Sequence, residues 1–182
     1  MIAALILAGG SARRMGGVDK PLLSLGRHTI LAEILLRLRP QVAAIALSAN
    51  GDPARLGAYG LPVLADPVPD QGPLAGLLQG LEWAAGCGAE ALLSVPGDTP
   101  FVPRDLATRL SPAPACAASG GHVHPLVALW PVSCRHRLQG WTDPRVRSFA
   151  QAIGMREVVF ADEAAFLNVN TPDDLAAARR MH

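Results

Sequence analysis

The chain has 182 residues, half of them hydrophobic, and a formal net charge of +1. That length and apolar content suit a single folded domain over residues 1–182 with a sizeable core, and argue against disorder. A charge so close to zero excludes a global basic field for nucleic acid, and an aromatic content of 4% offers no base-stacking platform.

Cys87, Cys116 and Cys134 are widely spaced and form no CxxC pair, which argues against a structural zinc site and for a reducing, cytoplasmic setting. The opening MIAALILAGG has an apolar run but no basic residue before it. About eight apolar residues are also too few to span a membrane. The run reads as a buried first strand over residues 1–8, ending at Gly9 and Gly10.

A loop over residues 9–20 follows, then a helix over 29–38 whose Ile30, Leu31, Ile34, Leu35 and Leu38 fall at helical spacing, with Pro40 beyond its end. Residues 42–49 and 62–65 read as the second and third strands. Leu74, Leu77, Leu78 and Leu81 mark a second helix ending near residues 86–88. A fourth strand over 90–95 ends at PGD, and a short helix is expected over 103–110. Residues 115–119 and 126–130 read as two strands around a turn at Gly120-Gly121, followed by a helix over 145–153 and a strand over 157–160. Thr171 caps a last helix over 172–180. No repeat or low-complexity linker interrupts the series.

Strand–helix alternation of this kind predicts an α/β fold: a mostly parallel, Rossmann-like sheet between two layers of helices. Ligands then bind in loops at the carboxyl ends of the strands. Four such loops carry polar residues, over 9–20, 48–52, 66–73 and 96–99.

The first loop, GGSARRMGGVDK, combines glycine backbone with Arg13, Arg14 and Lys20. Backbone N–H groups in glycine turns form anion-binding concavities, and the three cations suit a polyphosphate. It is not a Walker loop, because Met15 stands where the second glycine belongs after Gly10. Nor is it a dinucleotide fingerprint, because Ser11 and Ala12 occupy the required glycine positions.

In the other loops, Asp98 follows a strand and is placed either to hold a hard cation such as Mg²⁺ or to cap the next helix. Gly72, Pro73 and Gly76 allow close backbone approach to a ligand, or serve as a helix entry. Asn168 and Asn170 lie two apart, on one side of an extended segment. His122 and His124 also share a side, but no third ligand for a metal is evident, and His124 is read as a substrate-cleft or surface residue.

LAGGSARRMGGVDKPLL resembles the L-A-G-G-x-x-x-R-M-G-x-x-D-K signature of the molybdenum cofactor guanylyltransferases. DQGPLAGLLQGL, PGDTPFVP, HPLVALW and FLNVNTPDDL are similar, in order, to that family's later motifs. The resemblance implies the sheet of the nucleotide-diphospho-sugar transferase (glycosyltransferase-A-like) type. It implies transfer of GMP from GTP to the terminal phosphate of molybdenum-molybdopterin, with Mg²⁺ as cofactor. It assigns Leu7, Ala8, Gly9, Gly10, Lys20, Asp66 and Asp98 to the nucleotide, with Asp66 on the guanine. Arg14, Lys20 and Asp98 become the catalytic residues, Asp98 holds the metal, and His124, Asn168 and Asn170 line the pterin side. Transient contacts with other cofactor-biosynthesis proteins and apo-molybdoenzymes are implied too, and neither nucleic acid nor membrane. Ser48 stands where the family has the first Asn of Asn-x-Asn, which shortens the reach of the base-recognition loop. A CTP-dependent sister enzyme is the alternative within the fold, a sugar-1-phosphate nucleotidyltransferase of longer chain is more distant, and a non-catalytic pterin or nucleotide carrier is the alternative outside enzymes.

Overall fold

The opening apolar run forms β1 (Ile2–Leu7), whose inner residues are all buried. A strand covered on both faces needs no polar alternation. Its side chains divide between two cores, Ala4 and Ile6 on one face and Ala3 and Leu5 on the other. The structure, a computed structural model, describes residues 1–9, 19–65 and 72–181.

A short antiparallel hairpin, β2 (Ser24–Leu25) and β3 (His28–Thr29), leads into α1 (Ile30–Leu38). Thr29 caps this helix by accepting a hydrogen bond from the Ala32 N–H at 3.1 Å. Five of its apolar residues, Ile30, Leu31, Ile34, Leu35 and Leu38, are buried while Leu36 faces solvent, each buried one contributing about 1.5–3 kcal/mol before chain entropy is counted. Then come β4 (Ala44–Ser48), a 3₁₀ segment (Pro53–Tyr59), β5 (Val63–Leu64), α2 (Pro73–Gly86) and β6 (Ala91–Pro96). The remaining α-helices and strands are α3 (Leu106–Leu110), β7 (Ala115–Ser119), β8 (His122–Pro131), α4 (Arg135–Gln139), α5 (Val146–Ala152), β9 (Arg156–Val159) and α6 (Pro172–Met181).

The strands join in the order β5-β4-β1-β6-β8-β7-β9. β5, β4, β1 and β6 are mutually parallel, β8 runs against both β6 and β7, and β9 is parallel to β7. Helices α1, α3 and α6 bury their apolar residues on one face and α2, α4 and α5 on the other. This is the expected three-layer, mostly parallel arrangement. Among the described residues, no helix is long and apolar enough to cross a membrane.

Three features position the site. First, the order runs outward from β1 in both directions, with α1 crossing one face and α2 the other. The crevice beyond the carboxyl ends of β1 and β6 is therefore a topological switch point. Second, α2 lies tight on β1, since a Cβ on Gly80 would collide with Leu5 Cδ2. Third, β8 begins at His122, earlier than the expected Leu126. Pro125 cannot donate to a ladder, and the strand passes it by a slip in register. Ala117 faces His124 while Cys116 faces Ala128, leaving Pro125, Leu126 and Val127 without partners on β7.

Candidate active site

The ends of β4, β1 and β6 are locked level with one another. The Ala8 N–H donates to the Ser48 carbonyl at 2.8 Å, and the Gly97 N–H to the Leu7 carbonyl at 2.9 Å. Gly97 is pressed so closely that an added Cβ would lie 3.1 Å from both Ala8 Cα and the Leu7 oxygen. A cleft opens above this edge, floored by Leu7, Ala8, Gly9 and Gly97. One wall is the start of α2, where Gly72 is the N-cap at φ 79° without a side-chain cap and Pro73 follows. Pro73 carries no N–H and the Ala75 N–H reaches the Gly72 carbonyl at 3.3 Å, so what the helix start brings to the cleft is its positive dipole end, a setting that favours an anion.

Lys20 and Asp98 enter the same cleft. Lys20 opens a 3₁₀ turn (Lys20–Leu22), and its Nζ donates to Asn170 Oδ1 at 2.8 Å. Burial pushes the Asp98 carboxyl above its ordinary range, while the Lys20 ammonium pulls the other way. A desolvated carboxylate with one nearby cation favours a second. Mg²⁺-type ions commonly take only one or two protein carboxylates and complete their shell with substrate phosphate and water. The donor set at Asp98 fits that habit, and no group of three metal-ligating side chains occurs among the described residues. Asp19 also reaches the cleft but is paired with Arg55, which donates to the Asn50 carbonyl at 3.1 Å as well. Ser48 and Asn50 line the cleft from the end of β4.

A second hollow adjoins the cleft through Pro96 and Leu126 and contains His124 and Asn168. His124 Nε2 is bonded to Ser119 Oγ at 2.8 Å, and its ring stacks on Phe166 with centroids 4.8 Å apart. Burial and the neighbouring His122 hold its pKa below the ordinary 6.5. Asn168 Oδ1 accepts from the Thr99 hydroxyl at 2.7 Å. The two asparagines are thus brought to different partners, Asn168 beside the second hollow and Asn170 on Lys20.

Leu7, Ala8, Gly9, Lys20 and Asp98 therefore meet in one cleft, with His124, Asn168 and Asn170 at its side. Gly10, Arg13, Arg14 and Asp66 lie outside the described residues. Thr99, Arg55 and Phe166 are contacts that the sequence pattern does not single out. A threonine in PGDTP carries no periodic signal, and its burial shows only once the chain from 168 to 170 packs on it.

A family model described as MobA-like NTP transferase domain matches residues 4–158. The chain belongs to this family. It is a nucleotidyltransferase, as the resemblance in the first loop implies. A molybdenum cofactor guanylyltransferase from Acidiphilium cryptum is 55% identical, over 97% of this chain and 93% of that protein. Among solved structures, molybdopterin-guanine dinucleotide biosynthesis protein A from Archaeoglobus fulgidus superposes with a TM-score of 0.73, at 21% identity over 100% of this chain and 98% of its own. A Mycobacterium tuberculosis protein solved as a manganese complex does so at 0.74, with 20% identity over 100% of this chain and 99% of its own. At such identities these two establish the family's fold in this chain.

Proposed function

We propose that this enzyme transfers GMP from GTP to the terminal phosphate of molybdenum-molybdopterin, releasing pyrophosphate and giving the guanine dinucleotide form of the cofactor. The observation that carries the reading is the meeting of Lys20, Asp98 and the backbone of residues 7–9 beneath the open end of α2. This is an anion site with one carboxylate, in a chain 55% identical to a molybdenum cofactor guanylyltransferase.

The acceptor is a phosphate monoester, already mostly dianionic at neutral pH because its second pKa is about 6. It needs no general base, and none is assigned. It attacks the α-phosphorus in line, the bond to the bridging oxygen breaks, and that oxygen leaves with pyrophosphate. Catalysis then rests on alignment and charge neutralisation. Lys20 donates to the triphosphate while Asn170 steadies its ammonium. Asp98 is the ligand for the divalent cation, which we assign as Mg²⁺ and which would spread the phosphate charge. Arg14 adds a second cation from the first loop, Gly9 and Gly10 lend backbone N–H groups, and Asp66 accepts from the guanine. His124 and Asn168 contact the pterin in the second hollow. With Cys87, Cys116 and Cys134 all free, we assign the reaction to the reducing cytoplasm.

Pyrophosphate release with Mg²⁺, molybdopterin and each nucleoside triphosphate in turn tests the reading. Turnover with GTP alone is expected. Turnover with CTP alone would make the protein a cytidylyltransferase, and nucleotide binding without turnover would make it a carrier.

A further inference from the structure

Both carboxamides of the 168–170 segment have their oxygen engaged. Lys20 Nζ stands 2.8 Å from Asn170 Oδ1. An ammonium only donates, so the carbonyl end of that amide must face it. Thr99 Oγ1 lies 2.7 Å from Asn168 Oδ1 but 3.4 Å from Asp98 Oδ1. A hydroxyl has one proton, and only the shorter of these is a normal O–H···O length. The proton therefore goes to Asn168, which turns that Nδ2 away from Thr99. Between the two amides, Val169 is fully buried and its N–H donates to the Asp98 carbonyl at 2.8 Å. The two amides consequently share the outer side of one extended segment. Among the described residues, neither Nδ2 donates to a protein acceptor. Thr99 itself is 1% exposed, so it touches no ligand.

We propose that Thr99 is a positioning residue. With Lys20 it holds Asn168 and Asn170 so that both NH₂ groups face the ligand, which makes the segment a two-donor clamp for an oxyanion of the acceptor substrate. Lys20 keeps two further N–H donors for the nucleotide. The identity of the acceptor rests on the functional reading above; the orientation of the amides does not.

Thr99→Val and Thr99→Ser in the full chain test the proposal. With each substrate varied in the pyrophosphate assay, Thr99→Val should raise KM for molybdopterin about tenfold, the usual effect of losing one buried hydrogen bond. KM for GTP and the Mg²⁺ requirement should stay within about twofold, and Thr99→Ser should restore most of the loss, as expected when only the hydroxyl matters. An unchanged molybdopterin KM in Thr99→Val, or an equal rise for GTP, overturns the proposal. A second measurement needs no turnover and no folded valine variant. In ¹⁵N-labelled wild-type protein, the Asn168 side-chain amide protons, assigned by their loss in Asn168→Asp, should exchange with water as fast as a free amide. Protection of those protons would mean that Nδ2 donates to Thr99, which overturns the proposal. Absence of turnover in the wild-type protein would remove the functional reading while this measurement still decides the orientation.

Discussion

The two halves of the sheet reach the cleft in opposite ways. The parallel half, β5-β4-β1-β6, brings carboxyl ends to the edge, and its loops carry Gly9, Asn50 and Asp98. The other half brings a beginning, because β8 runs against β6 and its first residues, His124 to Leu126 among them, arrive beside Pro96. The first half is held mainly by backbone, through Ala8 to Ser48 and Gly97 to Leu7. The second is held by side chains, through Ser119 to His124 and Thr99 to Asn168. A backbone-built wall suits the phosphates, which every nucleotide shares. A side-chain-built wall suits the particular acceptor.

The largest test of this contrast is Asp98→Asn, which should lower kcat/KM by on the order of 10³-fold, as loss of a main electrostatic contact at the reacting phosphate does. Its stability should move the other way. Because burial raises the Asp98 pKa, the stability linked to this group is present below the unfolded value of 3.8 and lost as pH rises through the folded value. Metal-free Asp98→Asn should therefore melt no lower than wild type at pH 7.5 and show no advantage near pH 3. A clearly lower Tm at pH 7.5 would make Asp98 a structural residue and sink its assignment. Thermal melts at the two pH values, beside the turnover assay, decide it.

Gly97→Ala strikes the seam between β1 and β6 and should act next most strongly. Its Cβ meets the backbone at Ala8 and Leu7, which cannot swing aside. Overpacking of this kind costs about 1–3 kcal/mol, a fall in Tm of roughly 2–12 °C in a domain of this size. KM for GTP should rise with it. A variant with wild-type Tm and wild-type KM would show that the strand ends are not held as tightly as the distances imply.

The smallest effect belongs to the side-chain wall. His124 has a depressed pKa, so its contribution to stability is present above the ordinary 6.5 and is lost as pH falls through the folded value. His124→Gln should flatten the acid side of the Tm–pH curve. It should also raise KM for molybdopterin a few-fold, the scale of one replaced polar contact, without changing KM for GTP. Equal acid sensitivity in both proteins would place the titrating group elsewhere.

Much of this architecture was legible beforehand. The expected strands over residues 1–8 and 90–95 differ from β1 and β6 by a residue or two, the helix expected over 29–38 begins one residue later with Thr29 as its cap, and Thr171 caps the last helix as expected. Caps and apolar periods are local properties, set within a few residues of chain. The hairpin of β2 and β3 escaped notice because its strands are only two residues long. The early start of β8 escaped notice because Pro125 reads as a strand breaker unless the ladder is seen to skip it. At the site, Lys20, Asp98 and the NVN amides stood out by residue type and spacing, whereas Thr99 and Arg55 did not.

The sequence by itself determined the alternating elements, the polar loops and the family, since apolar period, glycine placement and motif order are written along the chain. The tertiary structure alone decided how those pieces meet. Lys20 finds Asn170 across 150 residues and Thr99 finds Asn168 across 69. The reversed run of β8 sets His124 beside the cleft. Such pairings depend on sheet order and on which backbone is packed against which, and no local pattern encodes them.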